Sequence, residues 1–328
     1  MCCNDKKRER TLMQFKDMHK KWSEWFSGKD RNSICQQIYD LIWYTAVYRI
    51  VYKSGQIASK GEQCGMINDF IDKCFWEYQL ISIRRLLDED KTQRTISLYR
   101  LLDSMESNYQ LLTRYNYFYG YDKEYDVDKI KGEYEEYAAK QKGPYQVPPR
   151  LVWEEIERRH SEFDKLSNKK NMPRKENNCV NISLFGDLKK VLKEKVELKN
   201  IETIAHKFIA HAESPEDRRK SNVDQIKLSL EDLYKAHEIV CKIATFLGKY
   251  FFDGCGGFLG VPQFDQFENI EKPMVKPEEV SQLRGIWNAY WKETESWSYF
   301  DINECDKLLK SENNNEFSTD EISAAENQ

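Results

Sequence analysis

The sequence predicts an all-α protein, and three observations carry this prediction. Proline and glycine are scarce, with 8 and 14 residues among 328, which favours long uninterrupted helices. Apolar residues recur at helical spacing along most of the chain, whereas the alternation typical of half-buried strands is almost absent. Aromatic residues make up 13% of the sequence, which suits helix packing rich in large rings.

The apolar pattern divides the chain into eight predicted helices. In chain order they span about 8–26, 34–53, 68–87, Thr95 or Ser97 to Leu112, 151–166, a start after Asn181 or Ser183 to 213, 230–251 and 278–298. Ser33 can cap the second helix, and Ser229 with Asp232 resembles a capping box at the start of the seventh. Pro215 ends the sixth, because proline cannot continue a helix and also restricts the residue before it.

Changes in composition predict four segments. Residues 1–33 are expected to form an N-terminal helical extension, and residues 34–253 a central helical bundle. The bundle carries an insertion at about 115–180, where tyrosines, mixed charges and Gly-Pro and Pro-Pro pairs interrupt the helical pattern. Residues 254–310 are expected to form an aromatic-rich, largely irregular extension, and residues 311–328, rich in Asn, Glu and Ser, a disordered tail.

Charge, hydropathy and cysteine usage exclude several classes of function. Basic and acidic residues number 51 and 55, which excludes a nucleic-acid binder that uses its whole surface but leaves a local basic patch open. The chain has no apolar run long enough to span a membrane and no apolar signal core, so we expect a cytoplasmic protein without a membrane partner. The nine cysteines include no CxxC pair, which predicts reduced thiols, some on apolar helix faces (Cys74, Cys241), and neither a metal nor a cofactor site.

The stretch at 201–213 carries two of the five histidines and is expected to end a long helix. Its apolar residues recur at helical spacing and form a stripe of Ile201, Ile204, Ala205, Phe208 and Ala212. On a helical wheel of about 100° per residue, His211 lies about 20° from Ile204, whereas His206 lies roughly 140° from His211. A histidine that borders a packed face either satisfies a polar group in the core or lines a site.

A second charged cluster lies at the end of the predicted third helix and comprises Arg84, Arg85, Asp88 and Lys91. Basic side chains there interact favourably with the negative end of the helix dipole, which is a sufficient structural reason for them. The other interpretation is that one of the arginines contributes to a site.

Taken together and in this order, segments 81–98 and 206–213 resemble the HEPN superfamily, specifically its abortive-infection U-type branch of bacterial phage-defence proteins. In the first segment a helix ends in Arg-Leu-Leu-Asp-Glu-Asp-Lys and restarts at Ser-Leu, and the second reads His-Lys-Phe-Ile-Ala-His-Ala-Glu. The resemblance spans about 34–250. It implies an up-and-down bundle of four to five helices that often dimerises, and a role in a defence or toxin–antitoxin system.

The resemblance also implies a chemistry, since many HEPN proteins are metal-independent ribonucleases whose motif is Arg, four to six residues, then His. The histidine can transfer the proton of an RNA 2′-hydroxyl or of the 5′-leaving oxygen near neutral pH. The arginine neutralises charge that develops on the scissile phosphate. Here His211 matches the motif histidine, but the positions open to the arginine, 204–206, hold Ile, Ala and His.

Three substitutes for the missing arginine remain open. His206 can donate to a phosphate when protonated, and Lys207 lies about 40° from His211 on the wheel. The third is the basic loop that contains Lys169, Lys170, Arg174 and Lys175. By the same resemblance, Arg85 is expected to face the cleft that contains His211. The predicted catalytic residues of this RNA-directed protein are therefore His211, His206, Lys207 and Arg85, and two such sites would face each other in a homodimer.

The alternative function is a catalytically inactive HEPN bundle that acts as an interaction or oligomerisation module, in which His211 makes a packing hydrogen bond. Its partners would be a second copy, an antitoxin or a defence protein. Among the other histidines, His160 on a charged helix is expected to be solvated, and His237 to be a hydrogen-bonded interior histidine. The glycine-rich stretch 254–257 lacks the Gly-Lys-Ser/Thr of a phosphate loop. The tyrosines at 115–125, which have acidic neighbours, are expected to pack or to form an interface rather than to bind RNA bases.

Overall fold

A computed structural model confirms the prediction of an all-α fold. It describes residues 3–57, 65–90, 95–119, 132, 135–136, 149–168, 173–210, 214–220, 223–252, 278 and 280–297. Over these ranges the chain forms α-helices, two short 3-10 turns and one π-helical turn, and its only β pairing is an isolated bridge between Thr113 and Cys179. The chain divides into two compact units, Met1–Pro262 and Gln263–Gln328.

The first unit contains ten of the described α-helices. They are α1 (Cys3–Ser27), α2 (Ile34–Ile57), α3 (Gly65–Leu87), α4 (Leu98–Ser107), α5 (Arg114–Tyr119), α6 (Pro149–Leu166), α7 (Ser183–Glu194), α8 (Val196–Ile204), α9 (Pro215–Lys220) and α10 (Leu230–Phe251). The π-helical turn, Ala205–Ala210, continues α8, and the 3-10 turns are Tyr109–Leu111 and Val223–Gln225. In the described part of the second unit, α11 (Val280–Trp297) confirms the predicted aromatic helix to within two residues.

Helix α1 packs into the same core as the helices that follow it. Phe15, Trp22 and Phe26 are fully buried, and the Trp22 indole Nε1 donates a hydrogen bond of 3.0 Å to Ser104 Oγ on α4. His19 lies between the rings of Phe15 and Phe252 and donates from Nε2 to the backbone oxygen of Phe251 at 2.7 Å. Helix α1 is thereby joined to the end of α10.

The sixth predicted helix is interrupted, because the chain leaves the helical conformation at Lys195 (φ −64°, ψ 126°). Helix α7 packs mainly against α4, where Lys189 bonds both Asp103 and Glu106. Helix α8 packs mainly against α3. The prediction of one continuous helix was wrong because different partners fix the two halves, and neither Gly nor Pro marks the break.

The predicted caps of α4 and α10 are confirmed. Ser97 accepts from the backbone N–H of Arg100 at the start of α4, and its own hydroxyl donates to the Asp88 backbone oxygen. Ser229 and Asp232 form a complete capping box at the start of α10. Pro215 begins the short helix α9, at a position where its missing N–H costs nothing.

Part of the predicted insertion lies outside the described residues, as do the stretch 254–257 and the tail 311–328. The described part is tied together by the backbone. Arg114 N–H donates to the Asn178 oxygen at 2.7 Å, and Val180 N–H donates to the Leu112 oxygen at 3.0 Å. These bonds set the start of α5 beside the end of the loop that follows α6, with Tyr117 buried.

The two cysteines predicted on apolar faces differ in the structure. Cys241 packs against the core, and burial raises the pKa of its thiol to about 11. Cys74 lies on α3 and is exposed. Among the described residues, no helix is both long and apolar enough to cross a bilayer.

Candidate functional site

A π-helical turn over Ala205–Ala210 carries two of the predicted site residues, His206 and Lys207. A π-helix has backbone bonds from residue i to i+5 and is rare in proteins, where it frequently marks a functional site. The turn packs against α3 as well as against α8. The sequence shows only a helical pattern here, with no signal for the change of helix type.

The π-turn changes which side chains face the core. Ile201 and Ala205 are fully buried and Ile209 packs against the core, whereas Phe208 is 39% exposed. Because a π-turn contains more residues per turn than an α-helix, the wheel of about 100° per residue does not hold after Ala205. The prediction that Phe208 belongs to the apolar stripe was wrong, and Ile209 takes that place.

His206 is exposed and Lys207 is half-buried, and both interact with other residues. Helix α9 follows the turn in the chain and contains Asp217. The pKa of Asp217 is held under its usual value by hydrogen bonds from Lys220 and Ser214 and, to a smaller extent, by the charge of Lys207. The guanidinium of Arg218 lies 4.8 Å from the centre of the Phe208 ring. His211 lies outside the described residues, so its predicted role stays a prediction.

The two arginines near the end of α3 have different neighbours. Arg85 is exposed and interacts with Tyr78, which lies edge-on to Tyr44 of α2 at 4.9 Å between ring centres. Arg84 is half-buried and interacts with Glu202 of α8. Arg84, which was not among the predicted catalytic residues, is therefore the arginine that interacts with α8.

Glu202 is a candidate that the sequence analysis missed. Its pKa is raised above the usual value, first by burial and then by the nearby charge of Glu89, while Lys193 and Arg84 act in the opposite direction. It lies four residues before His206, where α8 passes into the π-turn. A carboxyl group with a raised pKa, close in sequence to a histidine, suits proton transfer. The spacing was visible in the sequence, whereas the burial follows only from the packing of α3 on α8.

A second cluster joins α5 to α6 around Arg114, whose side chain is 5% exposed. The Arg114 guanidinium bonds Asp164 through Nη2 and lies 3.1 Å from His160 Nδ1 through Nη1. His160 stacks on Phe118 with 4.0 Å between ring centres. Arg174 extends the cluster by bonding Asp164 at 3.1 Å and Glu157 at 3.0 Å.

The prediction that His160 is solvated was wrong. Burial and then the positive charge of Arg114 lower the pKa of His160 to about 4, so the ring is neutral at pH 7. Since a guanidinium can only donate, Nδ1 of His160 accepts and Nε2 carries the proton. His160 therefore has two basic and two acidic neighbours. Their contacts hold α5 against α6 as a structural network.

Among the described residues, no three side chains of His, Cys, Asp or Glu are arranged to hold a metal ion. Comparison of the sequence with protein-family models and with curated proteins, and of the fold with solved structures, found no match in any of the three.

Proposed function

We propose that this protein is an RNA-directed helical protein of HEPN type that acts in the bacterial cytoplasm in phage defence or as the toxin of a toxin–antitoxin pair. The proposed reaction is metal-independent cleavage of an RNA strand. The observation that carries the proposal is the π-turn at Ala205–Ala210, which presents His206 and Lys207 directly before His211 and packs against the arginine-bearing helix α3.

In the proposed reaction, His211 removes the proton of a 2′-hydroxyl, and the resulting oxygen attacks the neighbouring phosphorus. The 5′-oxygen leaves and takes up the proton that His211 removed, which returns His211 to its neutral form, and a 2′,3′-cyclic phosphate remains. Lys207, His206 or Arg85 offsets the charge that builds on the phosphate oxygens.

The test is RNA cleavage by the full chain with a chelator present. His211→Ala and Lys207→Met are expected to lower the cleavage rate by at least about a hundredfold, in line with the loss of a general base or a charge-stabilising donor. Lys199→Met is the matched control, because Lys199 is an exposed lysine on α8 outside the turn. Circular dichroism checks that each variant is folded. Full-rate cleavage by both variants, or none by the wild type between pH 6 and 8, would refute the proposal.

An exposed apolar face on α3 favours a second candidate function, an inactive interaction module. Ile67, Phe70 and Tyr78 are 39%, 66% and 37% exposed and follow one another at helical spacing with Cys74. Tyr44 of α2, 44% exposed, extends this face beside Tyr78. Apolar side chains grouped in this way favour burial against a second copy or a partner protein.

The second candidate predicts a dimer whose stability depends on the α3 face. Phe70→Lys is expected to shift the mass measured by light scattering from dimer to monomer. Met13→Lys, at a side chain that is equally exposed (67%) on α1, should leave the mass unchanged. A wild-type protein that stays monomeric at high micromolar concentration would exclude self-association through this face.

A further inference from the structure

Three helix ends of the first unit meet around an open cavity of about 260 Å³. The C-terminal turn of α6 contributes Glu162 and Lys165, the first turn of α7 contributes Ser183 and Asp187, and the end of α10 contributes Phe246 and Tyr250. The loops add two amides, Asn168 and Asn181. The volume lies just below the range of about 300–1,000 Å³ typical of pockets for drug-sized ligands, which leaves room for one small ligand.

The cavity is lined by the aromatic wall of Phe246 and Tyr250 and by amide, hydroxyl and charged side chains. Phe246 and Tyr250 lie 5.0 Å apart with their rings tilted at 54°, so a planar ligand can stack on one ring and contact the edge of the other. The two asparagines offer both donors and acceptors. Asn168 has a positive φ of 53°, a conformation that asparagine tolerates better than most residues, and it turns at the end of α6 where the pocket opens.

The charged residues of the pocket leave one carboxylate and one ammonium available. Glu162 is only 13% exposed and already pairs with Arg158. Asp187 and Lys165 are exposed, and neither forms an ion pair with another described residue. A ligand that binds both residues therefore presents hydrogen-bond donors to Asp187 and a negative charge to Lys165.

The start of α7 does not supply the anion site itself. The Ser183 N–H donates to Asn181 Oδ1 at 3.2 Å and the Leu184 N–H donates to the Asn181 backbone oxygen at 3.1 Å. With these amides occupied, a negatively charged group has to be held by Lys165.

From this lining we infer that the cavity between α6, α7 and α10 is a site for a single nucleotide, with guanine as the favoured base. The base stacks on the Phe246–Tyr250 wall, as exposed bases do on aromatic side chains. Guanine presents two adjacent N–H donors on its Watson–Crick edge, which suit the Asp187 carboxylate, and the phosphate is directed toward Lys165. The inference deepens and rests on the proposed RNA-directed function, because a base of the RNA strand and a free nucleotide share this chemistry.

The test is calorimetric titration of the full chain with GMP, AMP, CMP and UMP and with single-stranded oligonucleotides with and without guanine. Guanine ligands are expected to bind at least about tenfold more tightly than the pyrimidines, the discrimination expected of one good bidentate contact. Asp187→Asn should remove this preference. Glu194→Gln, the same kind of charge loss at the other end of α7, should retain it. Guanosine should bind more weakly than GMP, and Lys165→Met should abolish that difference.

The mononucleotide and oligonucleotide titrations together separate the two sources of the ligand. Binding of GMP itself with the Asp187 dependence identifies a free nucleotide as a sufficient ligand, whereas guanine-dependent binding of oligonucleotides alone identifies an RNA base. Saturable binding of neither, or an equal loss in Glu194→Gln, overturns the inference. Cleavage that depends on His211 without guanine binding would refute the nucleotide site and support the proposed ribonuclease activity. Guanine binding without cleavage would support the nucleotide site and refute the ribonuclease activity.

Discussion

His237 Nε2 on α10 donates a hydrogen bond to Oε1 of Gln79 on α3, at 3.0 Å in the buried core. The amide nitrogen of the same Gln79 donates to the Leu41 backbone oxygen on α2 at 3.2 Å. One glutamine therefore links three helices. Because its nitrogen faces a carbonyl, its oxygen must face His237, and this fixes the neutral Nε2–H form of the ring. The predicted interior role of His237 is confirmed.

Replacing Gln79 by leucine tests how much the hydrogen bond between Gln79 and His237 contributes to the free energy of unfolding. Gln79→Leu leaves the buried His237 N–H without its acceptor, which is expected to lower the free energy of unfolding by about 1–3 kcal/mol. Gln36→Leu is the control, because Gln36 is an exposed glutamine on α2 whose amide bonds Asp40, and it should change stability by less than about 0.5 kcal/mol. Urea denaturation measures both. Equal effects would show that the buried contact contributes nothing.

The same histidine should make stability depend on pH. Burial lowers the pKa of His237 to about 4, below its unfolded value of about 6.5, so the native state binds fewer protons between these values. Stability is therefore complete above about pH 6.5 and is lost as pH falls toward 4, by an amount on the order of 3 kcal/mol. His237→Gln keeps a donor for Gln79 and should reduce this slope to the part that His160 contributes, while Lys227→Gln, which removes no histidine, should leave it unchanged. An unchanged slope in His237→Gln would assign the pH dependence to other groups.

Arg114 is expected to hold down the pKa of His160 while it stabilises the α5–α6 contact. Arg114→Met removes the second largest cause of the lowered pKa and leaves burial, so the pKa of His160 should rise from about 4 without reaching its usual value. Loss of one partner of the Arg114–Asp164 pair should also cost about 3 kcal/mol of stability. Proton NMR titration reports the first effect and urea denaturation the second. Arg158→Met, which breaks the more exposed pair with Glu162, should change neither by much.

The π-turn predicts a contrast between two alanines. Ala205 is fully buried, so Ala205→Leu forces extra volume into a packed core and should cost about 1–3 kcal/mol. Ala210 is exposed at the end of the same turn, and Ala210→Leu should change stability by less than about 0.5 kcal/mol. Thermal denaturation of the two variants measures the difference. Equal destabilisation would mean that the register of this turn differs from the one described.

The two serine caps should differ in strength. Ser229→Ala removes one side of an exposed capping box and should cost about 1 kcal/mol. Ser97→Ala removes a cap that is fully buried and that also donates to the Asp88 oxygen, so its cost should be larger, about 2 kcal/mol. Urea denaturation ranks them, and the reverse order would mean that burial adds nothing to the cap.

The helices were predictable because their causes are local. The serine caps, the apolar stripes and Pro215 each act within a few residues, and the structure has α10 at the predicted 230–251. The break at Lys195 and the π-turn were not predictable, because packing against α3 and α4 decides them and no residue type marks them. The Phe208 prediction failed for this reason alone.

The candidate sites were harder to predict than the fold. The partners Arg114 and Asp164 lie 50 residues apart and no local pattern joins them, so His160, which contacts Arg114 from the charged helix α6, was predicted to be solvated. Glu202 and Arg84 likewise meet only through the packing of α3 on α8. The spacing selected His206 and Lys207 because they belong to one continuous stretch, and their role stays a prediction.

The bond from His19 to the Phe251 oxygen spans 232 residues and has a consequence for synthesis. Helix α1 is made before the other described helices of this unit, but the aromatic groups around His19 include Phe252, which follows the end of α10. Contacts that close so long a loop form late, because its ordering entropy is lost before the contacts form. We expect the contacts of His19 with Phe251 and Phe252 to form only after α10 is complete, later than the contact of Trp22 with Ser104 on α4.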